Sequence, residues 1–342
     1  MTGWIRTVTG DIPAQSLGVT LIHEHLYMDA TVLFGATSVA SHASSQAFGI
    51  EEAAKCRWNP GSSLQNYEFM DEDLVVADLN RAVDSGIGAV VDVTPIDMGR
   101  SHEALVRISH RTGIPIVMGT GYYLSSAHGR HLPSGSEESA TYERIMREHE
   151  TGIDGVKPGI IGEIGTSDPI ASSEMSVLRG AAKAARDSGL GLSIHVHPWG
   201  WTGREILEVL DPFGLDLRRV VLGHMNTAIS DRPYLHSLLD SGAVLGFDLF
   251  GFDHALLAVG RYPPTDWSVA ETVAELVAEG FTDQLVLSQD VGVRTRLTAY
   301  GGWGYGHLLE HVVPMLEGMG VGETSSRQML VGNCRRILSI GG

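Results

Sequence analysis

Cysteine is scarce in this chain: of 342 residues only Cys56 and Cys334 are cysteines, and they lie far apart. That excludes a disulfide framework and a thiolate-based zinc motif. Positive charge is scarce as well, 24 basic against 41 acidic side chains, for a net charge of −17. Such a surface repels phosphate backbones and anionic lipid, so neither nucleic acid nor a membrane is expected as a partner. No uncharged apolar run approaches the length of a membrane span. The opening stretch MTGWIRTVTGD has no apolar signal-peptide core, so a cytoplasmic protein is the expectation. Also missing is a Gly-rich phosphate loop after the first apolar run, the mark of a doubly wound nucleotide-binding sheet.

What is present is a repeated alternation. Eight Val/Ile/Leu-rich runs read as strands: VTLIH near 19–23, GAVVDVT near 88–94, IPIVMG near 114–119, GIIGEI near 159–164, LGLSIHVH near 190–197, RVVLGH near 219–224, GAVLGFD near 242–248 and QLVLSQD near 284–290. Runs apolar throughout suit strands covered on both faces of a parallel sheet. Helical stretches separate them, such as DEDLVVADLNRAVDSG and SSEMSVLRGAAKAARDSG, each stopping at a glycine. Eight βα units predict an α/β fold, a (β/α)8 TIM barrel spanning residues 1–342 as one domain. WIRTVTGDIPAQSLG ahead of the first strand predicts a short hairpin at the barrel bottom. The long loop after strand one, from about Ala30 to Glu68, predicts an excursion over the mouth and a possible lid.

The chemistry sits at the strand ends. His23 and His25 end strand one, and side chains at i and i+2 leave a strand on the same face. Glu163 ends strand four, His195 strand five, His224 strand six and Asp290 strand eight. Core packing would choose apolar residues at these positions, because an unpartnered buried polar group costs several kcal/mol. Four imidazoles and two carboxylates at one end of a barrel exceed the needs of one tetrahedral zinc ion. They suit two divalent metal ions bridged by a carboxylate and a hydroxide. Zinc is the expected metal, with Mn²⁺, Co²⁺ and Fe²⁺ compatible with the same donors.

The segments LIHEHL, VVDVTPIDMGR, GTGYYL, GIIGEIGTS, SIHVH, LGHMN, LSQD and GGWGYGHLL resemble the phosphotriesterase family of the amidohydrolase superfamily over nearly the whole chain. The resemblance implies a binuclear metal hydrolase, with His23, His25 and Asp290 on the more buried metal and His195 and His224 on the more exposed one. Many members of that family bridge their metals with a carboxylated lysine. Here Gly162 aligns with it and Glu163 follows, which resembles the glutamate-bridged branch of phosphotriesterase homology and phosphotriesterase-related proteins. Strand parity is the obstacle, since a shift of one residue turns a side chain to the other face. A bulge allowed by Gly162 or Gly165 would re-aim it. Lys157 is the competing bridge.

True phosphotriesterases relay protons away from the strand-eight Asp through a His and an Asp. The corresponding positions here are Leu249 and Thr227. The resemblance therefore implies hydrolysis of a carboxylic ester, lactone or N-acyl amide, with a metal-bridging hydroxide as nucleophile and Asp290 as the catalytic acid–base. Phosphoester hydrolysis is the alternative, and a ligand-binding protein on a degenerate barrel is the non-enzymatic one. Arg294 is the expected anion contact on the substrate. Tyr122, Tyr123 and His197 are the other expected substrate contacts. A small-molecule substrate and a homodimer complete the expectations.

Overall fold

The computed structural model describes residues 3–34, 48–255 and 260–341. The eight apolar runs form the eight strands of one sheet: β1 Thr20–Glu24, β2 Ala89–Asp92, β3 Ile116–Thr120, β4 Ile160–Gly165, β5 Gly191–His195, β6 Val220–Leu222, β7 Val244–Phe247 and β8 Leu285–Leu287. Neighbours pair in parallel, in chain order. The ring closes between β8 and β1, where Asp290 N–H donates to the His23 carbonyl at 3.1 Å and His23 N–H to Ser288 Oγ at 3.0 Å. Helices follow the first seven strands in turn: Glu72–Asp84, His102–Thr112, Glu137–Thr151, Ser172–Ser188, Gly203–Leu210, Arg232–Asp240 and Asp266–Ala278. Their ends obey local chemistry. Asp71 accepts from the amides of Asp73 and Leu74, Ser101 accepts from Ala104, and Gly113 and Gly189 end their helices in the left-handed conformation.

Two apolar layers result. Leu21, Val90, Ile116, Ile161, Leu192 and Leu245 face outward and pack under the helices. Their sequence neighbours Ile22, Val91, Val117, Ile160, Val221, Val244 and Val286 fill the barrel interior. The expected hairpin is present, Trp4–Thr7 against Gly10–Pro13, and its Ile5 joins the interior cluster with Ile337 and Leu338. The barrel bottom is thereby plugged from both ends of the chain.

The interior alternation makes two ligand positions informative. Ile22 and Ile160 point inward, so strict alternation would send His23 and Glu163 out toward the helices. Both strands break their register just there, β1 between Leu21 and Glu24 and β4 between Ile161 and Ile164. These bulges turn His23 and Glu163 back to the axis. The peptide joining Gly162 to Glu163 is cis. Glycine is required in the second bulge. Gly162 has φ +122°, and a Cβ there would run into the Ser193 carbonyl oxygen.

The segment after β1 returns over the mouth. Met28–Asp29 pairs with Glu68–Phe69, and a 3-10 turn at Ala30–Phe34 and a helix at Ile50–Trp58 lie between. The anticipated lid falls partly on residues 35–47, which lie outside the described residues.

Candidate metal centre

The six anticipated side chains converge at the C-terminal mouth of the barrel. Glu163 lies at the centre, and its two oxygens face different partners. Oε1 is 3.2 Å from His25 Nε2, while Oε2 is 3.3 Å from His195 Nδ1, 3.4 Å from His23 Nε2 and 3.8 Å from His224 Nε2. Asp290 Oδ1 lies 3.2 Å from His25 Nε2 and 3.9 Å from His23 Nε2. His195 Nδ1 and His224 Nε2 are 2.7 Å apart. Among the described residues, donor atoms close enough to share one ion occur at the mouth in two overlapping sets, His23 with His25 and Asp290, and His23 with Glu163 and His224, with His195 in neither; a third set, His102 with Glu103 and Asp154, lies apart from it.

These atoms are buried without proper partners. Among the described residues neither ring nitrogen of His23 makes a hydrogen bond, nor does Oε2 of Glu163. Buried polar atoms are normally paired. Orphan imidazole nitrogens facing an orphan carboxylate oxygen therefore fit a cation bound among them.

In the bare protein these groups shift one another's titration in both directions. Burial alone would push the imidazoles down. For His25 the hydrogen bonds it donates to Asp290 and Glu163 outweigh it, and the pKa stands well above the ordinary value. For His224 the charge and hydrogen bond of Asp248, with Glu163, do the same. His195 is pushed below by burial and by His224. Glu163 is held well below the usual carboxylate range, burial being outweighed by the surrounding histidines.

A further ring of groups aims the donors. Asp248, at the end of β7, is fully buried. Its Oδ1 accepts from the His224 amide at 2.8 Å and lies 2.9 Å from His224 Nδ1, and its Oδ2 lies 3.3 Å from His23 Nδ1. One carboxylate thus sets two imidazoles and holds His224 in its left-handed backbone conformation, φ +64°. His25 Nδ1 is hydrogen-bonded to Thr94 Oγ1 at 2.8 Å, and Tyr305 OH donates to the His25 carbonyl at 2.6 Å. Glu24, between the two histidines, accepts from Ser288 Oγ and from the amides of Gln289 and Val291, which fixes the turn that carries Asp290. Sequence reasoning missed Asp248, although it shares the strand-end placement that marked the other carboxylates.

A cavity of about 200 Å³ opens above the cluster, bounded by His25, Glu163, Asp290 and Tyr123 below and by Met28, Leu33, Met98, Phe252, Val293 and Arg296 around it. Tyr123 reaches it with its hydroxyl 3.1 Å from His195 Nδ1. The other anticipated substrate contacts lie elsewhere. Tyr122 is buried, donates to the His131 carbonyl and accepts from Arg144 Nε. His197 is half-buried and accepts from the Trp199 amide, off the cavity wall. Arg294 donates to the Glu68 carbonyl and covers Phe48. Arg294 therefore does not face the cavity, and Arg296 does. A 3-10 turn over Arg294–Arg296 advances about 120° per residue and sends the two guanidiniums apart.

A parallel barrel that gathers imidazoles and carboxylates at its C-terminal mouth defines the protein as a metal-dependent hydrolase. The chain belongs to the phosphotriesterase family, whose model matches residues 3–338. It is similar to the N-acetyltaurine hydrolase of Dictyostelium discoideum, 30% identical over 99% of this chain and 98% of that one. Its fold matches a resiniferatoxin-binding protein from Rhodobacter sphaeroides with TM-score 0.93, 35% identity and coverage of 98% and 95%. It also matches the phosphotriesterase homology protein of Escherichia coli, solved with phosphate in its active site, with TM-score 0.77, 27% identity and coverage of 94% and 99%.

Proposed function

We propose that the protein hydrolyses an N-acyl amide, with esters and lactones as related carboxylic substrates, at a binuclear metal centre held by His23, His25, Glu163, His195, His224 and Asp290. The observation that carries this reading is the central carboxylate of Glu163, one oxygen toward His25 and the other toward His195 and His224. That is the disposition a bridge between two ions needs. Similarity to N-acetyltaurine hydrolases over 99% of the chain favours an amide bond over the alternatives. Zinc is the proposed metal. Residues 1–342 acting as one domain, a homodimer and a cytoplasmic location belong to the same reading.

Bound metals would polarise the scissile carbonyl and acidify an attacking water. The chain's own residues do the rest. Asp290 is partly open to the cavity, its side chain 21% exposed, and one of its oxygens faces His25. It takes the proton of the attacking water and passes it to the leaving nitrogen. The Tyr123 hydroxyl, placed beside His195, is positioned to hydrogen-bond the substrate carbonyl oxygen as charge develops there. Leu249 is buried and Thr227 bonds the Pro198 carbonyl, so neither serves as a proton relay beyond Asp290. This disfavours phosphotriesters.

The test combines metal counting with a substrate panel. Two transition-metal ions per chain are expected, with turnover of N-acyl amino acids and N-acyl sulfonates and little on phosphotriesters. Asp290→Asn is expected to lose at least about 100-fold in kcat, in the range of general acid–base contributions. Faster turnover of phosphotriesters than of every carboxylic substrate would overturn the reading, as would a kcat near wild type in the variant.

A further inference from the structure

Two buried titratable side chains have no work in the chemistry described so far. Asp97 lies in the 3-10 turn Ile96–Met98 after β2 and is 4% exposed. His128 ends the short helix Ser125–His128 after β3 and is 7% exposed. Neither lines the cavity. Both grip one residue. The Tyr123 amide donates to Asp97, 3.0 Å from each carboxylate oxygen. His128 Nε2 lies 3.0 Å from the Tyr123 carbonyl oxygen, which can only accept, so that nitrogen carries the proton and donates. Burial pushes the Asp97 carboxyl up to about 7, and the Tyr123 amide is the largest influence holding it down. Burial pushes the His128 imidazole down. A buried polar group is costly unless it is bonded, and packing alone would fill both places with apolar side chains.

What they hold is otherwise loose. Strand β3 ends at Thr120, and no backbone hydrogen bond reaches Tyr123 among the described residues. Gly165, where a Cβ would run into the Tyr123 carbonyl carbon, lets the end of β4 pass close to it. The Tyr123 ring stands 4.8 Å from the His195 ring at 69°, with its hydroxyl 3.1 Å from Nδ1. The backbone of Tyr123 thus takes its place from side chains, and the hydroxyl takes its place from the backbone. An oxyanion donor must stand about 2.7–3.1 Å from the developing charge, and a misplacement of about 1 Å is enough to cost about 100-fold in rate.

We infer that Asp97 and His128 are positioning residues that clamp the backbone of Tyr123 from both sides and set its hydroxyl where the scissile carbonyl oxygen gathers charge. This rests on the role given to Tyr123 above. Neither side chain touches substrate. Asp97 holds the peptide plane before the Tyr123 Cα and His128 the plane after it, so the direction of the side chain is fixed. The clamp also ties the loop after β2 to the loop after β3.

The experiment uses the metal-loaded enzyme, with N-acetyltaurine and p-nitrophenyl acetate as substrates. Tyr123→Phe is expected to lower kcat about 100-fold, as for the loss of one oxyanion donor. Asp97→Ala is expected to lower kcat about tenfold with KM within about twofold of wild type. Asp97→Asn keeps an oxygen that accepts from the Tyr123 amide, and is expected to bring kcat back to within about threefold of wild type. In the Tyr123→Phe background Asp97→Ala is expected to cost nothing further, because the group it places is gone. A further loss of about tenfold there overturns the inference, as does an asparagine variant no better than the alanine one. His128→Ala and His128→Gln make the same comparison on the carbonyl side, and His128→Ala takes the place of Asp97→Ala in the cycle if the latter does not fold. Full kcat in Tyr123→Phe removes the role of Tyr123 and the clamp with it. A cycle that holds on the ester alone leaves the clamp standing and removes only the amide reading. The second readout needs no turnover. With 3-fluorotyrosine at position 123, a single narrow fluorine NMR line is expected in the otherwise unaltered protein and in Asp97→Asn, and a shifted or broadened line in Asp97→Ala. An unchanged line in Asp97→Ala means that the ring keeps its place without Asp97 and overturns the clamp.

Discussion

Asp248 shows how much a single side chain can set. It touches no space where a substrate could lie, yet it fixes the rings of His23 and His224 and the left-handed turn at His224. Asp248→Asn keeps the shape and removes the charge. Metal affinity is expected to fall about 10- to 100-fold, measured by chelator competition, as for other groups that orient a ligand. The protons matter at this scale too. The carboxylates around His25 and His224 raise their pKa values well above the ordinary imidazole value in the bare protein, so both hold a proton more readily than a free imidazole. A metal must displace those protons. Binding is therefore expected to release protons near pH 7 and to weaken as pH falls, seen as a dependence of the calorimetric enthalpy on buffer ionisation. The sign for stability is opposite. Raised histidines stabilise the bare fold below 6.5 and lose that contribution as pH rises through their folded values. An apo Tm that rises from pH 6 to pH 9 would contradict this account.

At the scale of elements, the strands, their order and the helices between them were legible, because each strand is an uninterrupted apolar run and each helix carries its own stop. The bulges were legible only in part. Gly162 next to Glu163 signals one, since a glycine inside a strand suggests a break in register. Nothing in VTLIHEHL signals the other. His23 and His25 look correctly spaced, and only the knowledge that Ile22 fills the interior shows that His23 needs re-aiming. Arg294 and Arg296 were not separable for a related reason. The sequence offers two arginines in one turn, and the direction of each depends on where that turn begins. Gly162→Ala tests the second bulge. A Cβ there clashes with the Ser193 carbonyl at a φ of +122°, and a loss of at least about 2 kcal/mol is expected from strain at such a position. Urea denaturation of the apo protein measures it, and a midpoint within error of wild type would remove the requirement for glycine.

For the whole molecule, the centre ties together strands that are far apart in sequence. His23 and Asp290 are joined through ring closure, and Glu163 stands between them and His195. An ion bound at such a place would hold the barrel shut at its mouth. Metal saturation is expected to stabilise by about 4 kcal/mol for each site held at a thousandfold excess over its Kd. Calorimetric scans with and without chelator read the difference. An identical Tm in both would mean that the barrel mouth is rigid without the ions.

The plug at the other end has a consequence for the making of the protein. Trp4 and Ile340 exchange backbone hydrogen bonds of 3.0 and 2.9 Å, and Leu17 shares its apolar cluster with Ile337. During synthesis the hairpin emerges long before its partner. At about 5–20 residues per second, the interval between Leu17 and Ile337 is on the order of 16–64 s. Ile5 and Leu17 lack their C-terminal cover through that time, and Val286 joins them for about the last 3–10 s. The nascent chain must either hold this surface on the ribosome's surroundings or lend it to a chaperone. A chain stalled between residues 290 and 333 carries all six proposed metal ligands and still lacks the floor.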